Sequence, residues 1–164
     1  MNKVKQAQDY STVIDSPIGR IGIIATENTL KKIDLDITAT LKQPEEAYSQ
    51  QIARELSNYF QNSKTKFSIM CGLKGSPFQL RVWQALQKIP EGHILTYGEL
   101  ARKLHSSPRA IGQACRTNPV PIIVPCHRIV ASSHLGGFAG ATVGAMLNIK
   151  KWLLKHEGIM VNKD

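Results

Sequence analysis

The chain has 164 residues, 42% of them hydrophobic, and a formal net charge of +9 at pH 7. This length suits one larger or two smaller domains, and three cysteines without metal-ligand spacing indicate reduced thiols rather than a disulfide framework. No signal segment opens the sequence and no apolar stretch is long enough to span a membrane. We therefore expect a cytoplasmic protein, or a nuclear one in a eukaryote.

The first half of the sequence predicts a small α/β domain. A turn signal, Ser16-Pro-Ile-Gly19, separates two β-rich segments and predicts a hairpin, and apolar residues at helical spacing predict a helix over 45–60. The predicted strands are residues 10–15, 20–26, 31–36 and 67–71. Nothing in this half carries recognisable chemistry, so we expect a supporting domain and linker over residues 1–75.

The second half predicts a series of short, capped helices. Ser76 caps the first with a proline after it, and Thr96 with Glu99 forms a capping box for the second. A third helix runs from Ser107-Pro108 to Asn118-Pro119, after a short polar turn. Two short helices joined by a tight turn are typical of a helix-turn-helix, although an ordinary helical hairpin gives the same pattern.

Positive charge is concentrated in this second half. Residues 77–164 hold 11 Lys and Arg against 4 Asp and Glu, whereas residues 1–76 hold 10 against 8. A face that binds phosphates requires such an excess, so the distribution favours nucleic-acid binding by the helix-turn-helix half. A generically basic protein remains the alternative.

The most informative stretch reads Asn-Pro-Val-Pro-Ile-Ile-Val-Pro-Cys-His-Arg-Ile-Val over residues 118–130. It places the Cys126 thiol beside the His127 imidazole, and a nucleophile beside a base is the minimal arrangement for covalent catalysis. Neighbouring side chains of an extended segment point to opposite faces, so the two cooperate only if the chain turns there or a water bridges them. A buried cysteine acting as a small hydrophobe is the competing interpretation.

Five segments resemble the O6-alkylguanine-DNA alkyltransferases, also called methylated-DNA–protein-cysteine methyltransferases. They are Ser76-Pro-Phe-Gln-Leu-Arg-Val-Trp83, Thr96-Tyr-Gly-Glu-Leu-Ala101, Pro108-Arg-Ala-Ile-Gly112, the stretch 118–130, and Lys151-Trp-Leu-Leu-Lys-His-Glu-Gly158. Each segment alone is a modest match, but five in the same order are specific. The resemblance implies a small-sheet-plus-helix α/β domain, followed over 76–164 by a mostly helical DNA-binding domain with a winged-helix-like helix-turn-helix.

The resemblance also implies direct reversal of DNA damage. O6-alkylguanine, and O4-alkylthymine as well, would be rotated out of the duplex, and the alkyl group would pass irreversibly to Cys126, once per molecule. His127 would activate the thiol, through a water, and Glu157 would orient His127. From the sequence alone, a residue at the end of a C-terminal helix is the favoured interpretation of Glu157. The implied partner is double-stranded DNA, bound through its minor groove by a monomer, with no membrane association.

No cofactor and no metal are implied for this chain. Some members of the resembled family carry zinc in the first domain, but residues 1–92 contain no histidine and one cysteine. Two other functions stay open. One is a DNA-damage binding module that flips bases without transfer, and the other is a cysteine hydrolase that uses Cys126 and His127.

The resemblance assigns substrate and DNA contacts to ten residues. Tyr97 would assist rotation and neutralise the departing purine, Arg109 would fill the vacated space in the base stack, and Asn118 would tie the recognition helix to the active-site segment. The full set is Tyr97, Arg109, Ala110, Gly112, Gln113, Asn118, Arg128, Ile129, Phe138 and Ala139. The chain departs from the family at Gly137-Phe-Ala-Gly-Ala141, where Gly-Tyr-Ser/Ala-Gly-Gly is usual. We expect residues 138–148, which are longer than usual, to form a movable wall of the alkyl pocket.

Overall fold

The structure is a computed structural model that describes residues 9–161. The chain divides into two compact units. The first runs to Gln61 and includes Thr65–Gly72, and the second contains Asn62–Lys64 and the chain from Leu73 onward. Because that short excursion belongs to the second unit, a single boundary between residues 75 and 76 stays a prediction.

The first unit contains a three-stranded antiparallel sheet and one helix. Its elements are β1 (Thr12–Ile14), β2 (Arg20–Ala25), β3 (Leu30–Ile37) and α1 (Ala47–Gln61), with the strands in the order β1-β2-β3. The predicted hairpin is confirmed, and the Ser16 hydroxyl closes its turn by donating to the Gly19 carbonyl at 2.6 Å. Gly19 has a φ of 99°, which only glycine adopts at little cost.

The predicted helix face is confirmed, with Ile52, Leu56 and Tyr59 of α1 buried. The predicted strand at 67–71 is wrong, because only Cys71 forms an isolated bridge, with Leu30. Side chains of α1 take the backbone amides that a longer ladder would use. The Tyr48 hydroxyl accepts from the Met70 amide at 2.6 Å, and the Glu55 carboxylate accepts from the Ser68 amide at 3.2 Å.

The second unit is mostly helical. Its elements are α2 (Pro77–Gln87), β4 (Leu95–Thr96), α3 (Tyr97–Lys103), α4 (Pro108–Arg116), a 3-10 turn (Cys126–Arg128), β5 (Ile129–Val130) and α5 (Ala145–His156). The predicted caps are confirmed: Ser76 and Thr96 each form a complete capping box, and the Ser107 hydroxyl accepts from the amide three residues on. Local sequence rules therefore fix where α2, α3 and α4 begin.

The helices enclose a core in which Trp83 is the largest buried side chain. Its indole nitrogen donates to the Ala114 carbonyl at 2.9 Å and joins α2 to α4. A left-handed residue, His105 with a φ of 52°, makes the tight turn between α3 and α4, which confirms the helix-turn-helix. The wing stays a prediction, since the sheet here is a parallel pair of two residues per strand, β4 and β5.

The fold class predicted from the sequence, a small α/β unit followed by a mostly helical one, is confirmed. The expected extent of the 138–148 loop needs one correction, because α5 already begins at Ala145. The irregular segment therefore ends at Gly144, which has a φ of 87° and immediately precedes the first residue of α5. Within residues 9–161, none of the helices combines the length and apolar character that a membrane crossing requires.

Candidate active site

Cys126 and His127 lie on a turn rather than on an extended strand. The 3-10 turn at Cys126–Arg128 follows a stiff proline-rich loop that Asn118 closes from within. The Asn118 amide donates to the Val124 carbonyl at 2.8 Å, and its oxygen accepts from the Val120 amide at 3.0 Å. The sequence left open whether the chain turns at the thiol, and the structure shows that it does.

The loop also stores backbone strain. Ile122 has a φ of 75°, a left-handed conformation that a β-branched residue rarely adopts. Such outliers persist only where the surrounding structure holds them, and they gather at functional sites. Here the two Asn118 hydrogen bonds span the strained residue, so Asn118 fixes the loop that delivers Cys126.

The Cys126 thiol is buried, with 7% of the residue exposed. Burial raises its pKa, while the Asn118 side chain and the positive charge of Lys150 act in the opposite direction. A cysteine with a raised pKa is protonated at neutral pH, and the thiolate is the reactive form. The thiol therefore needs a base to accept its proton.

His127 is placed to be that base. Its side chain is fully buried, and its Nε2 lies 2.9 Å from Oε1 of Glu157, which caps the C-terminus of α5. Burial lowers the pKa of His127 against the raising effect of Glu157, so the ring is neutral at pH 7. Its Nδ1 is buried and has no partner in the described part of the chain. With Nε2 donating to the carboxylate, Nδ1 is free to accept a proton.

Glu157 is also held by a cation, Arg128. The guanidinium donates to both carboxylate oxygens, at 2.9 and 2.8 Å, and to the Ile89 carbonyl at 2.6 Å. Burial opposes ionisation of Glu157, but hydrogen bonds from His127 and Arg128 outweigh it and lower its pKa to about 2. The structure thus places the Arg128 guanidinium on Glu157. Its expected contact with DNA or substrate stays a prediction.

A cavity of about 320 Å³ opens beside the thiol. Its walls come from α3, α4, the turn and the loop after β5. The lining residues are Tyr97, Arg109, Gly112, Gln113, Cys115, Arg116, Cys126, Gly137, Phe138, Ala139, Gly140, Ala141 and Thr142. Seven of these were predicted as site residues from the sequence, namely Tyr97, Arg109, Gly112, Gln113, Cys126, Phe138 and Ala139.

Other predicted contacts do not line this cavity. Ile129 is fully buried in β5, where it pairs with Leu95, and Ala110 is half-buried on α4 beside its capping serine. The expected ligand contacts of Ile129 and Ala110 stay predictions. Asn118 does not line the cavity, and its side chain interacts with the Cys126 thiol from within the proline-rich loop.

The sequence missed the cavity role of Cys115 and Arg116. Cys115 lies half-buried on α4 and also reaches the cavity. No sequence signal marked the part played by Arg116, whereas the loop tip at Gly140–Thr142 lies within the segment predicted to form the pocket wall. The loop tip is shaped by two reciprocal backbone hydrogen bonds between Phe138 and Ala141, at 2.8 and 2.9 Å.

The two helices beside the cavity are basic. Four exposed cations lie on α3 and α4, namely Arg102, Lys103, Arg109 and Arg116, and the last two line the cavity. The one carboxylate on these helices, Glu99, accepts from the Thr96 amide at 2.7 Å as part of the capping box. The helix-turn-helix therefore presents net positive charge next to a buried nucleophile.

Comparisons with known proteins match both units. The family model of the 6-O-methylguanine DNA methyltransferase DNA-binding domain matches residues 77–159, and that of the ribonuclease-like domain of the same proteins matches residues 10–71. Curated relatives named methylated-DNA–protein-cysteine methyltransferase include one from Methanosarcina acetivorans, 35% identical over 91% of this chain and 98% of that protein. The constitutive protein of Bacillus subtilis is 34% identical over 92% and 96%.

Solved structures agree. The O6-methylguanine methyltransferase of Mycobacterium tuberculosis superposes with a TM-score of 0.76 at 32% identity, covering 92% of this chain and 94% of that one. A structure of the M. tuberculosis protein in complex with DNA gives a TM-score of 0.73 at 35% identity, covering 88% and 90%. Because both family models and near full-length relatives above 30% identity match, the chain belongs to the 6-O-methylguanine DNA methyltransferase family.

Proposed function

We propose that this protein repairs alkylated DNA by transferring the alkyl group of an O6-alkylguanine to Cys126, once per molecule. One observation carries the proposal: the buried Cys126 thiol opens into a cavity walled by the basic helix-turn-helix and is followed directly by the His127–Glu157 pair. The names of the relatives and the DNA complex of one of them support the same activity. The same attack would remove an alkyl group from O4 of thymine.

The transfer is a displacement at carbon. The Cys126 proton passes to His127 Nδ1 through a bridging water, the sulfur–carbon bond forms, and the bond from that carbon to the guanine oxygen breaks. The departing guanine carries the electron pair and takes up a proton from solvent, while the imidazolium formed on His127 releases its proton to solvent. Burial raises the pKa of Tyr97 to about 12, so its hydroxyl stays protonated at neutral pH and is suited to donate a hydrogen bond to the departing base.

The arrangement limits each molecule to one reaction. Glu157 stabilises the imidazolium that forms on His127, as a carboxylate on the far ring nitrogen does in hydrolytic triads. A thioether carbon is a poor target for water, and nothing in the proposed step regenerates the thiol. The alkylated protein is therefore the final product.

Extrusion of the base accounts for the exposed cations. An alkylated oxygen inside a duplex is out of reach of a buried thiol, so the nucleotide must leave the stack. Arg109 on α4 is exposed and lines the cavity, which suits it to fill the space that the base leaves. Ala110 and Gly112, the small residues of α4 that are partly exposed, suit close approach to the narrow minor groove. One copy of the chain holds every residue of this scheme, so we propose a monomer.

Intact-mass spectrometry tests the proposal. Incubation with a duplex that contains one O6-methylguanine should add one methyl group and stop there. Cys126→Ala should abolish uptake while leaving DNA binding unchanged. Cys115→Ala is the matched control, since Cys115 lines the same cavity, and it should retain uptake.

Other outcomes would identify a different activity. DNA binding without mass gain would make the protein a damage-binding module. Turnover of ester substrates that is lost in Cys126→Ala would make it a cysteine hydrolase. A methyl group that maps to Cys71 or Cys115 would overturn the assignment of the acceptor.

A further inference from the structure

Lys150 is a fully buried lysine that the transfer scheme does not use. It lies on α5, and its Nζ donates to the Ile129 and Leu135 carbonyls, both at 2.6 Å, and to the Gly137 carbonyl at 2.9 Å. An ammonium group has three protons, so each has an acceptor. Burying a cation is costly even when its hydrogen bonds are satisfied, so a lysine in this position requires an explanation.

The three carbonyls belong to the two segments that form the acceptor site. Ile129 follows the turn that carries Cys126, and Leu135 and Gly137 flank the start of the cavity wall. The Gly137 carbonyl is also the acceptor of the Tyr97 hydroxyl, at 3.4 Å. Lys150 therefore ties the wall to the turn at the point where Tyr97 contacts it.

This wall fits closely against Tyr97. A Cβ added at Gly136, which has a φ of 75°, would lie 2.8 Å from Cε2 of the Tyr97 ring. The Lys150 ammonium itself is 6.0 Å from the centre of that ring. A small movement of Leu135–Gly137 would change the position of Tyr97 relative to a bound base.

We propose that Lys150 is a positioning residue for alkyl transfer, whose ammonium ties the segment Leu135–Gly137 to the turn that carries Cys126 and holds that segment against Tyr97. The inference rests on the proposed function. It adds to the site a charged group that positions Tyr97 and the Cys126 turn without contacting the alkyl group.

The charges around Lys150 give this role a pH dependence. Burial lowers the pKa of Lys150 to about 8, against the raising effect of the Cys126 and Cys115 thiolates. His127, on the turn, and Tyr97, on α3, also face it. Below pH 8 the amine is charged and holds all three carbonyls. Above pH 8 it loses a proton, so one carbonyl is released and Leu135–Gly137 is held less firmly.

The test is the pH profile of the single-turnover rate on a saturating duplex that contains O6-methylguanine. The unaltered protein should lose rate as pH rises through about 8. Lys150→Met has a similar length and no charge, so it should be at least tenfold slower at pH 7 and show no such loss. Lys150→Arg stays charged and should retain more of the rate at pH 7 than Lys150→Met does. Its rate should begin to fall only at a higher pH than that of the unaltered protein.

Lys155→Met is the matched control, because Lys155 is an exposed lysine on the same helix. It should match the unaltered protein in rate and profile. Melting temperature and near-ultraviolet circular dichroism establish that each variant is folded. If Lys150→Arg does not fold, the Lys150→Met profile alone decides.

Two results would overturn the inference. Folded Lys150→Met with the rate of the unaltered protein would show that the ammonium is dispensable. A slow Lys150→Met that keeps the alkaline loss would show that the loss belongs to another group and that Lys150 is only structural. Absence of methyl uptake by the unaltered protein would instead overturn the proposed function, and the inference with it.

Discussion

The two units use their buried polar groups differently. In the first unit, the Tyr10 hydroxyl donates to Asp34 at 2.8 Å and the Thr12 hydroxyl donates to the Lys42 carbonyl at 2.7 Å, so these groups tie one part of the fold to another. In the second unit, His127 Nδ1 is buried and has no partner in the described part of the chain. The satisfied groups of the first unit serve its fold, whereas the unpaired Nδ1, one residue along from the cavity-lining Cys126, is available to accept a proton.

The sharpest way to break this comparison is to neutralise one buried carboxylate in each unit. Glu157→Gln leaves Arg128 and His127 facing a neutral amide, so methyl transfer should fall by about 100-fold or more, since general-base catalysis contributes about that much. Asp34→Asn is the matched change in the first unit. It should lower stability and leave the transfer rate of the folded protein unchanged, as measured by single-turnover kinetics.

The stability of the protein should also depend on the ionisation of Glu157. The folded-state pKa of Glu157, about 2, lies below its ordinary value of 4.5, so its contribution is complete above pH 4.5 and is lost as pH falls toward 2. The shift corresponds to on the order of 3 kcal/mol of unfolding free energy. In Glu157→Gln that acid-dependent contribution should be missing from urea titrations between these pH values. If the free energy of unfolding of Glu157→Gln falls with decreasing pH as steeply as that of the unaltered protein, other carboxylates account for the loss of stability in acid.

The next prediction tests whether the exposed cations serve extrusion. Arg109→Ala should slow repair of a base inside a duplex by about tenfold, and should affect transfer from free O6-benzylguanine much less, because a free base needs no extrusion. Lys88→Ala removes an exposed charge from the same unit, away from the cavity, and should change neither rate. Equal losses on both substrates would make Arg109 structural.

Much of the second unit follows from local rules in the sequence. Ser76 and Thr96 carry capping boxes that depend on residues only three positions away, and both helices start where predicted. The strand predicted at 67–71 failed because Tyr48 and Glu55, distant in sequence, compete for its backbone amides. Rules that consider only neighbouring residues do not account for such competition from distant side chains.

The site divides in the same way. Cys126 and His127 could be singled out because they are adjacent, and Glu157 only through the family resemblance. Arg128 and Glu157 are hydrogen-bonded although they lie 29 positions apart, and Lys150 hydrogen-bonds from a helix to a turn and a loop. No regular spacing in the sequence marks either set of contacts, so neither could be predicted from one sequence.

Alkylation should loosen the second unit. A methyl group on Cys126 adds volume at a buried position, so the stability should fall by about 1–3 kcal/mol. For a chain of this size, each kcal/mol lowers the melting temperature by about 2–4 °C. Calorimetry of the protein before and after reaction should show that fall, and a larger one with a benzyl group. An unchanged midpoint would show that the cavity accepts the group without strain.

The smallest effect is expected from the irregular loop. Gly137–Thr142 lines the cavity, whereas Val143, with 78% of its surface exposed, lies between that wall and α5. Deleting Val143 shortens the connection between the cavity wall and α5, so the wall has less room to move outward. Benzyl transfer should therefore fall several-fold relative to methyl transfer, which should stay within about tenfold, or about 1.4 kcal/mol of barrier.

Val143→Ala, which keeps the loop length, is the control for the deletion and should keep the ratio of the two rates. The Lys150 contacts end at Gly137, so the wall beyond that residue has freedom that the anchored part lacks. Loss of methyl transfer in the deletion, with the circular dichroism spectrum intact, would show that the loop holds the base itself. An unchanged ratio would show that selection among alkyl groups depends on the anchored wall and on Tyr97 instead.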